Sequence, residues 1–150
     1  MLLSKSCEYG LRATLYLAST EAGKFTSIRE ISDKLDISYH FLTKILQQLT
    51  AEGLLESFKG PNGGVRLAKP GKEIQLLEIV EAIDGNELFT ECVLGLPGCG
   101  MKKPCAMHDK WMNHREGIKE MLESTTLSEL ADRTRSKNFR ISVDRSLDEL

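Results

Sequence analysis

The stretch that most restricts the fold is a glycine-rich tip, Lys59-Gly60-Pro61-Asn62-Gly63-Gly64, set between two short runs of strand-forming residues. Leu54 to Phe58 lead into it and Val65 to Ala68 lead out. Asn-Gly between such runs predicts a β-hairpin. The residues just before it are helical in pattern. Ser27 with Glu30 three positions on is a capping box, which starts a helix that buries Ile28, Ile31 and Leu35. Asp36-Ile37 makes a tight turn. Ser38 then N-caps a further helix through about Glu52, burying Leu42, Ile45, Leu46 and Leu49, with Gly53 as its stop. An earlier helix over 5–21 carries Leu11, Leu15 and Ala18 at helical spacing and stops at Gly23. Two short helices joined by a tight turn, with a packing helix before them, form a helix-turn-helix, and a hairpin placed directly after it is a wing. The expected fold class is mostly α with a small β-hairpin wing: a winged helix-turn-helix followed by a long C-terminal helix.

That fold implies a partner. Ser38, Tyr39, His40 and Thr43, with Lys44 just behind, are exposed at the start of the second helix. Hydroxyls, an aromatic and a cation there suit phosphates and base edges of a major groove. Lys59 and Arg66 flank the wing tip, while Gly60, Asn62 and Gly63 shape a backbone able to approach a phosphate. Such a tip suits the minor groove, where cations read width more than base identity. The plainer alternative is a polar-faced helical hairpin beside a solvated β-hairpin. The net charge of -2 is unpromising for nucleic acid, yet it is uneven. Residues 1–72 carry a net of +3 and residues 73–150 a net of -5, so only the first part is suited to phosphate.

After Pro70-Gly71, a helix over Ile74 to Ile83 ends at Asp84-Gly85. A loop from about Asn86 to Ala106 then holds three of the four cysteines, Cys92, Cys99 and Cys105, with His108 three positions beyond the last. Gly95, Pro97, Gly98, Gly100 and Pro104 keep it out of regular structure. The absence of a long apolar run, and a charged N-terminus, lead us to expect a cytoplasmic chain with no membrane partner. There thiols stay reduced, so the cysteines point to metal or redox chemistry rather than structural disulfides. Soft thiolates with an imidazole are a donor set for iron–sulfur clusters or zinc. Zinc sites use close Cys-x2-4-Cys knuckles, which this loop lacks. A metal-free thiol switch is the other alternative. Cys7 reads as packing in an apolar-faced helix, and His40 and His114 have no partner at metal spacing. Catalysis is not expected, since there is no base–nucleophile set and no phosphate loop. A helix from about Met107 to Glu123 places Met107, Trp111, Ile118, Met121 and Leu122 near a heptad-like seam, as in helices that pair with a copy of themselves.

Several of these motifs occur together in a known family. Ser4-Lys5 with Tyr9-Gly10-Leu11-Arg12-Ala13, Ile37-Ser38 to Leu42, Gly60-Pro61-Asn62-Gly63-Gly64-Val65-Arg66-Leu67, and Cys105-Ala-Met-His108-Asp-Lys-Trp111 all match it. Over about residues 1–132 the chain resembles the winged-helix repressors that include the iron–sulfur regulator IscR and the nitric-oxide sensor NsrR. The resemblance implies a homodimer on double-stranded DNA with an imperfect palindrome, dimerised through the helix from about Met107. It also implies a 2Fe-2S or 4Fe-4S iron–sulfur cluster on Cys92, Cys99 and Cys105 that controls DNA affinity. Clusters take four protein ligands, so one is wanting. His108 matches the fourth ligand of IscR-like proteins, and Glu8 the carboxylate that NsrR-like proteins offer from the other subunit. Two departures stand out. Six residues separate Cys92 from Cys99 where members have five, and Thr43 stands where IscR-like members carry an acidic residue, so base preference does not transfer.

The expected organisation is therefore a winged helix-turn-helix over 1–84, a cysteine-rich loop over 85–106, a dimerisation helix with a following short helix over 107–135, and a mobile tail over 136–150.

Overall fold

The structure, a computed structural model, describes residues 2–142. Among these residues there are seven helices and one hairpin, six of the helices in the expected order. Helix α1 spans Lys5–Ala18, α2 Ile28–Leu35 and α3 Tyr39–Ala51. Strands β1 (Leu55–Phe58) and β2 (Gly64–Leu67) form the hairpin, and a 3-10 turn over Gly71–Glu73 leads to α4 (Leu76–Asp84). Then come α5 (Glu87–Thr90), α6 (His108–Ser124) and α7 (Leu127–Ser136). Among the described residues no helix is long and apolar enough to cross a membrane.

Capping chemistry sets most helix starts. Ser4 accepts from Cys7 N at 3.0 Å and Ser27 from Glu30 N at 3.1 Å, each satisfying an orphan donor of a first turn. The carboxylate of Glu30 does not close the box; it meets the Tyr16 hydroxyl at 3.1 Å instead and so ties α2 to α1. Asp36 ends α2 in the left-handed conformation (φ 54°, ψ 52°), which is the tight turn between the two helices. Gln75 and Glu78 make the reciprocal cap of α4.

Leu17, Ile31, Leu35, Leu42, Leu46, Leu49, Ile79, Val80 and Leu127 pack one core fed by α1, α2, α3, α4 and α7. Helix α1 and α4 approach closely at Gly10, where a Cβ would collide with Ile83 Cδ1. Their ends are also stitched, because Ser4 N and Ser4 Oγ both donate to the Asp84 carboxylate. The hairpin is antiparallel, with Leu55 opposite Leu67 and Phe58 opposite Gly64. It gains a third edge from Thr26, whose N–H and C=O pair with Val65 at 2.9 and 2.8 Å. The tip differs from the expected Asn-Gly turn. Gly63 N donates to Gly60 O at 2.9 Å, so Pro61 and Asn62 are the central pair, and Gly60 and Gly64 take the positive φ values.

Two further expectations are corrected. The cysteine loop begins with a helical turn, α5, whose Phe89 is buried. The tail is held rather than mobile over its first part. Ile141 is buried, and Arg12 clamps this segment by donating from Nε to Ile141 O and from Nη2 to Leu35 O, both at 2.7 Å. Residues 143–150 of the expected mobile tail lie outside the described residues.

Candidate DNA-binding face and cysteine site

Helix α3 presents Ser38, His40 and Lys44 to solvent, with Tyr39 and Thr43 half-buried. Its apolar side is consumed by Leu42, Ile45, Leu46 and Leu49, so only the polar side remains for a partner. Ser38 makes no side-chain cap, which leaves its hydroxyl unspent, whereas Thr43 Oγ1 donates back to Tyr39 O at 2.8 Å. A groove of about 410 Å³ separates α3 from the wing; Tyr39, Gln47, Lys59, Gly60 and Gly63 line it together with Arg29. Arg29 was not singled out in the sequence because it lies on α2. Its guanidinium stands 4.3 Å from the Tyr39 ring centroid, a stack that holds a cation at the head of α3.

The wing residues divide into two groups. Lys59 and Asn62 are exposed at the tip. Arg66 is occupied elsewhere. It pairs with Glu56 at 2.9 Å across the strands, donates to Gly23 O at 2.9 Å, and lies 4.3 Å from the Phe25 ring centroid. Arg66 thus braces the wing base, with its charge paired to Glu56. The glycines also serve the wing itself. A Cβ at Gly63 would strike Phe58 O and one at Gly64 would strike the Thr26 carbonyl. They let the wing close on its own backbone.

The cysteine site lies at the corner where α4 and α5 pack against α6. Trp111 Nε1 and Arg115 Nη1 both donate to Glu91 O, at 3.1 and 3.4 Å, which pins the start of the loop to α6. Cys92, Cys99, Cys105 and His108 then line one cavity of about 20 Å³ with Leu96, Pro97, Gly98 and Lys103. Within it they form two pairs. Cys92 Sγ is 3.4 Å from Cys105 Sγ, and Cys99 Sγ is 3.6 Å from His108 Nδ1. Backbone N–H groups of Leu96, Leu94 and Gly95, aided by Cys105, draw the Cys92 thiol below its ordinary pKa. Its hydrogen bond to Cys92 raises that of Cys105. Cys7 is remote in chemistry: burial, with the nearby Asp84 and Glu8 carboxylates, pushes its thiol up to about 12. Glu8 pairs with Lys5 at 3.0 Å on α1 and does not line the cavity.

The donor set fits an iron–sulfur cluster in chemistry, and one structural observation supports it. Among the described residues, the buried side-chain nitrogens without a hydrogen-bond partner are His108 Nε2 and Arg115 Nε, both in this corner. The spacing is contracted. Metal–sulfur bonds of about 2.3 Å put tetrahedral sulfurs roughly 3.8 Å apart, more than the 3.4 Å between Cys92 and Cys105. Among the described residues no three His, Cys, Asp or Glu stand close enough to hold a single metal ion. A cluster therefore requires the loop to open. Gly95 and Gly98 have positive φ and open space where a Cβ would be, so these two turns have no packing to break.

A helix-turn-helix, its wing and a polar groove between them define a winged-helix, DNA-binding transcriptional regulator. Residues 3–133 match the Rrf2 family, described as iron-dependent transcriptional regulators. The chain belongs to this family, whose members are regulators and not enzymes. It is 41% identical over 92 residues to the HTH-type transcriptional regulator NsrR of Shouchella clausii (strain KSM-K16), covering 61% of this chain and 62% of that relative, which is less than two thirds of its length. It is 32% identical over 145 residues to Protein aau3 of Rhizobium meliloti (strain 1021), covering 96% of this chain and 94% of that one. The structure of CymR (YrzC), the global cysteine regulator of B. subtilis, is similar with a TM-score of 0.76 and 28% identity, over 88% of this chain and 97% of that one. T. potens IscR shares the fold, with a TM-score of 0.71 at 23% identity over 90% of each chain.

Proposed function

We propose that the chain is a homodimeric repressor whose affinity for an imperfectly palindromic DNA site is set by an iron–sulfur cluster on Cys92, Cys99 and Cys105. The observation that carries this reading is the convergence of these three thiols and His108 on one cavity. His108 is the fourth ligand we favour, because it is buried beside Cys99 with a free ring nitrogen. Glu8 of a second copy is the alternative. When bound, such a cluster supplies a centre that oxidants, nitric oxide or iron shortage can dismantle. Everything else falls to the chain's own residues.

Helix α6 is suited to two partners at once. His108, Arg115 and Leu122, seven apart, face inward, whereas Met107 and Met121 are exposed at 41% and 57%. The expected seam is thus split, with Leu122 and Ile118 on the subunit's own core and the methionines left for a second copy. On DNA, the Ser38, Tyr39, His40 and Lys44 face of α3 enters the major groove and the tip bearing Lys59 and Asn62 lies in the flanking minor groove. Loop and α3 are linked through α4: Gln48 Nε2 on α3 donates to Ala82 O at 2.8 Å near the end of α4. Gly85 and α5 then lead directly to Cys92. Opening the loop pulls on this segment and changes how α3 is held.

Fluorescence anisotropy on a labelled palindromic duplex tests the coupling. Reconstituted and metal-free protein should differ about 5–150-fold in affinity, the range of 1–3 kcal/mol couplings; equal affinities contradict it. A second reading has its own observation. The Cys92–Cys105 distance of 3.4 Å is short enough for a thiol pair to oxidise with little backbone movement, a metal-free redox switch. Mass spectrometry of oxidised protein, with that disulfide present and no iron bound by reduced protein, would favour it.

A further inference from the structure

Arg115 is a buried cation of the cysteine corner whose charge the fold answers only weakly. Its side chain is 10% exposed, and its ion pair is a weak one, Glu116 at 4.0 Å from Nε on a side chain 61% exposed. The Nε itself has no hydrogen bond. On the inner side Nη1 reaches Glu91 O at 3.4 Å and Cys99 Sγ at 3.6 Å. A guanidinium stays protonated throughout the accessible pH range, so burial cannot neutralise it. Burying a charge without a close partner is costly, and such charges persist where an opposite charge completes them. Nη1 meets the thiol of Cys99, which shares its cavity with Cys92 and Cys105. As ligands of a bound metal centre all three would be thiolates, placing three negative charges there.

We propose that Arg115 is the internal counter-charge of the cysteine site: through Cys99, its guanidinium stabilises an anionic centre built on the three thiolates. The identity of that centre rests on the cluster reading; the buried cation does not. Net charge and hydrogen bonds to the sulfurs are among the controls of a cluster's reduction potential. A cation that touches one ligand sulfur should therefore raise the potential and slow loss of iron. Lys103 also lines the cavity but is exposed, so it serves as the control cation.

The test uses the full chain as wild type, Arg115→Gln, Arg115→Lys and Lys103→Gln. After anaerobic reconstitution, the midpoint potential and the rate of iron loss to a chelator are measured. Arg115→Gln should have the lower potential and lose iron several-fold faster. Arg115→Lys should recover part of both, and Lys103→Gln should resemble wild type. A loaded Arg115→Gln protein with wild-type potential and iron lifetime overturns the inference while the cluster reading stands.

A second measurement needs no cluster. In metal-free protein carrying Cys92→Ser and Cys105→Ser, Cys99 is titrated with a dianionic aromatic disulfide and with a neutral dipyridyl disulfide. Both report the same thiolate, so the ratio of their rates reads the charge beside it. Arg115→Gln should lower the ratio several-fold and Arg115→Lys should not; an unchanged ratio overturns the proposal. If wild type takes up no cluster yet the ratio falls, the functional reading fails and the counter-charge stands.

Discussion

Replacing Gly64 by Ala should detach the wing, and the structure gives the size of the effect. At Gly64 φ is +155°, and a Cβ would strike the Thr26 carbonyl. That carbonyl accepts from Val65 N at 2.8 Å while Thr26 N donates to Val65 O at 2.9 Å. If the chain keeps this geometry, it bears the clash and a strained backbone of about 1–3 kcal/mol. If it swings away, it loses two backbone hydrogen bonds at about 1 kcal/mol each. It also exposes part of Val65, now 2% accessible, whose full burial is worth roughly 1.5–3 kcal/mol. The second route costs about 3–4 kcal/mol. Urea unfolding followed by circular dichroism measures it as a lower midpoint at similar slope. Gly23→Ala is the control, with φ +81° but nothing within 4 Å of a Cβ, so only the left-handed cost of about 1–2 kcal/mol applies. Gly64→Ala within about 0.5 kcal/mol of wild type, far below the bonds at stake, would refute the reasoning.

Other outcomes follow from the same geometry. Lys59→Ala should reduce the slope of log affinity against log salt by about one, whereas Arg66→Ala should leave the slope nearly unchanged and lower stability by roughly 1 kcal/mol; the reverse order returns Arg66 to the DNA contact. Gln48→Ala should shrink the affinity difference between reconstituted and metal-free protein in the anisotropy assay, and an unaltered difference removes α4 from the route. Stability should decline in alkali. The Cys7 thiol is held at about 12 in the fold against 9.0 for its ordinary value. Tyr16 is held at about 12 against 10.0, by burial and by Glu30. Both groups keep their protons longer when folded, so their stabilisation is intact below pH 9 and is lost as pH rises towards 12. Urea midpoints that stay flat from pH 8 to 11 would contradict this.

Local signals carried most of the fold. Ser27 with Glu30, Asp36-Ile37 and the Gly60–Gly64 tip act through neighbours in sequence, so the helix-turn-helix and wing could be read from residues alone. What escaped depends on long-range partners. Arg66 looked like a free cation because Gly23 and Phe25 lie about forty residues away in sequence. Arg29 looked like a solvated α2 residue because its stacking partner, Tyr39, lies beyond the turn. Arg115 could have been noticed, since it falls seven residues after His108 and seven before Leu122, on one helical stripe. That a cation there would be buried is decided by the cysteine loop folding over it. The clasp of Arg12 on Ile141 is of the same kind.

The claim on which the account depends is that Cys92, Cys99 and Cys105 hold an iron–sulfur cluster, and anaerobic purification tests it most directly. The visible spectrum, iron and acid-labile sulfide of the wild type should be compared with those of Cys99→Ser. A coloured wild type with iron and sulfide in matching amounts, and a colourless Cys99→Ser that remains folded, is the expected result. A colourless wild type that contains stoichiometric zinc, or no metal at all, contradicts it.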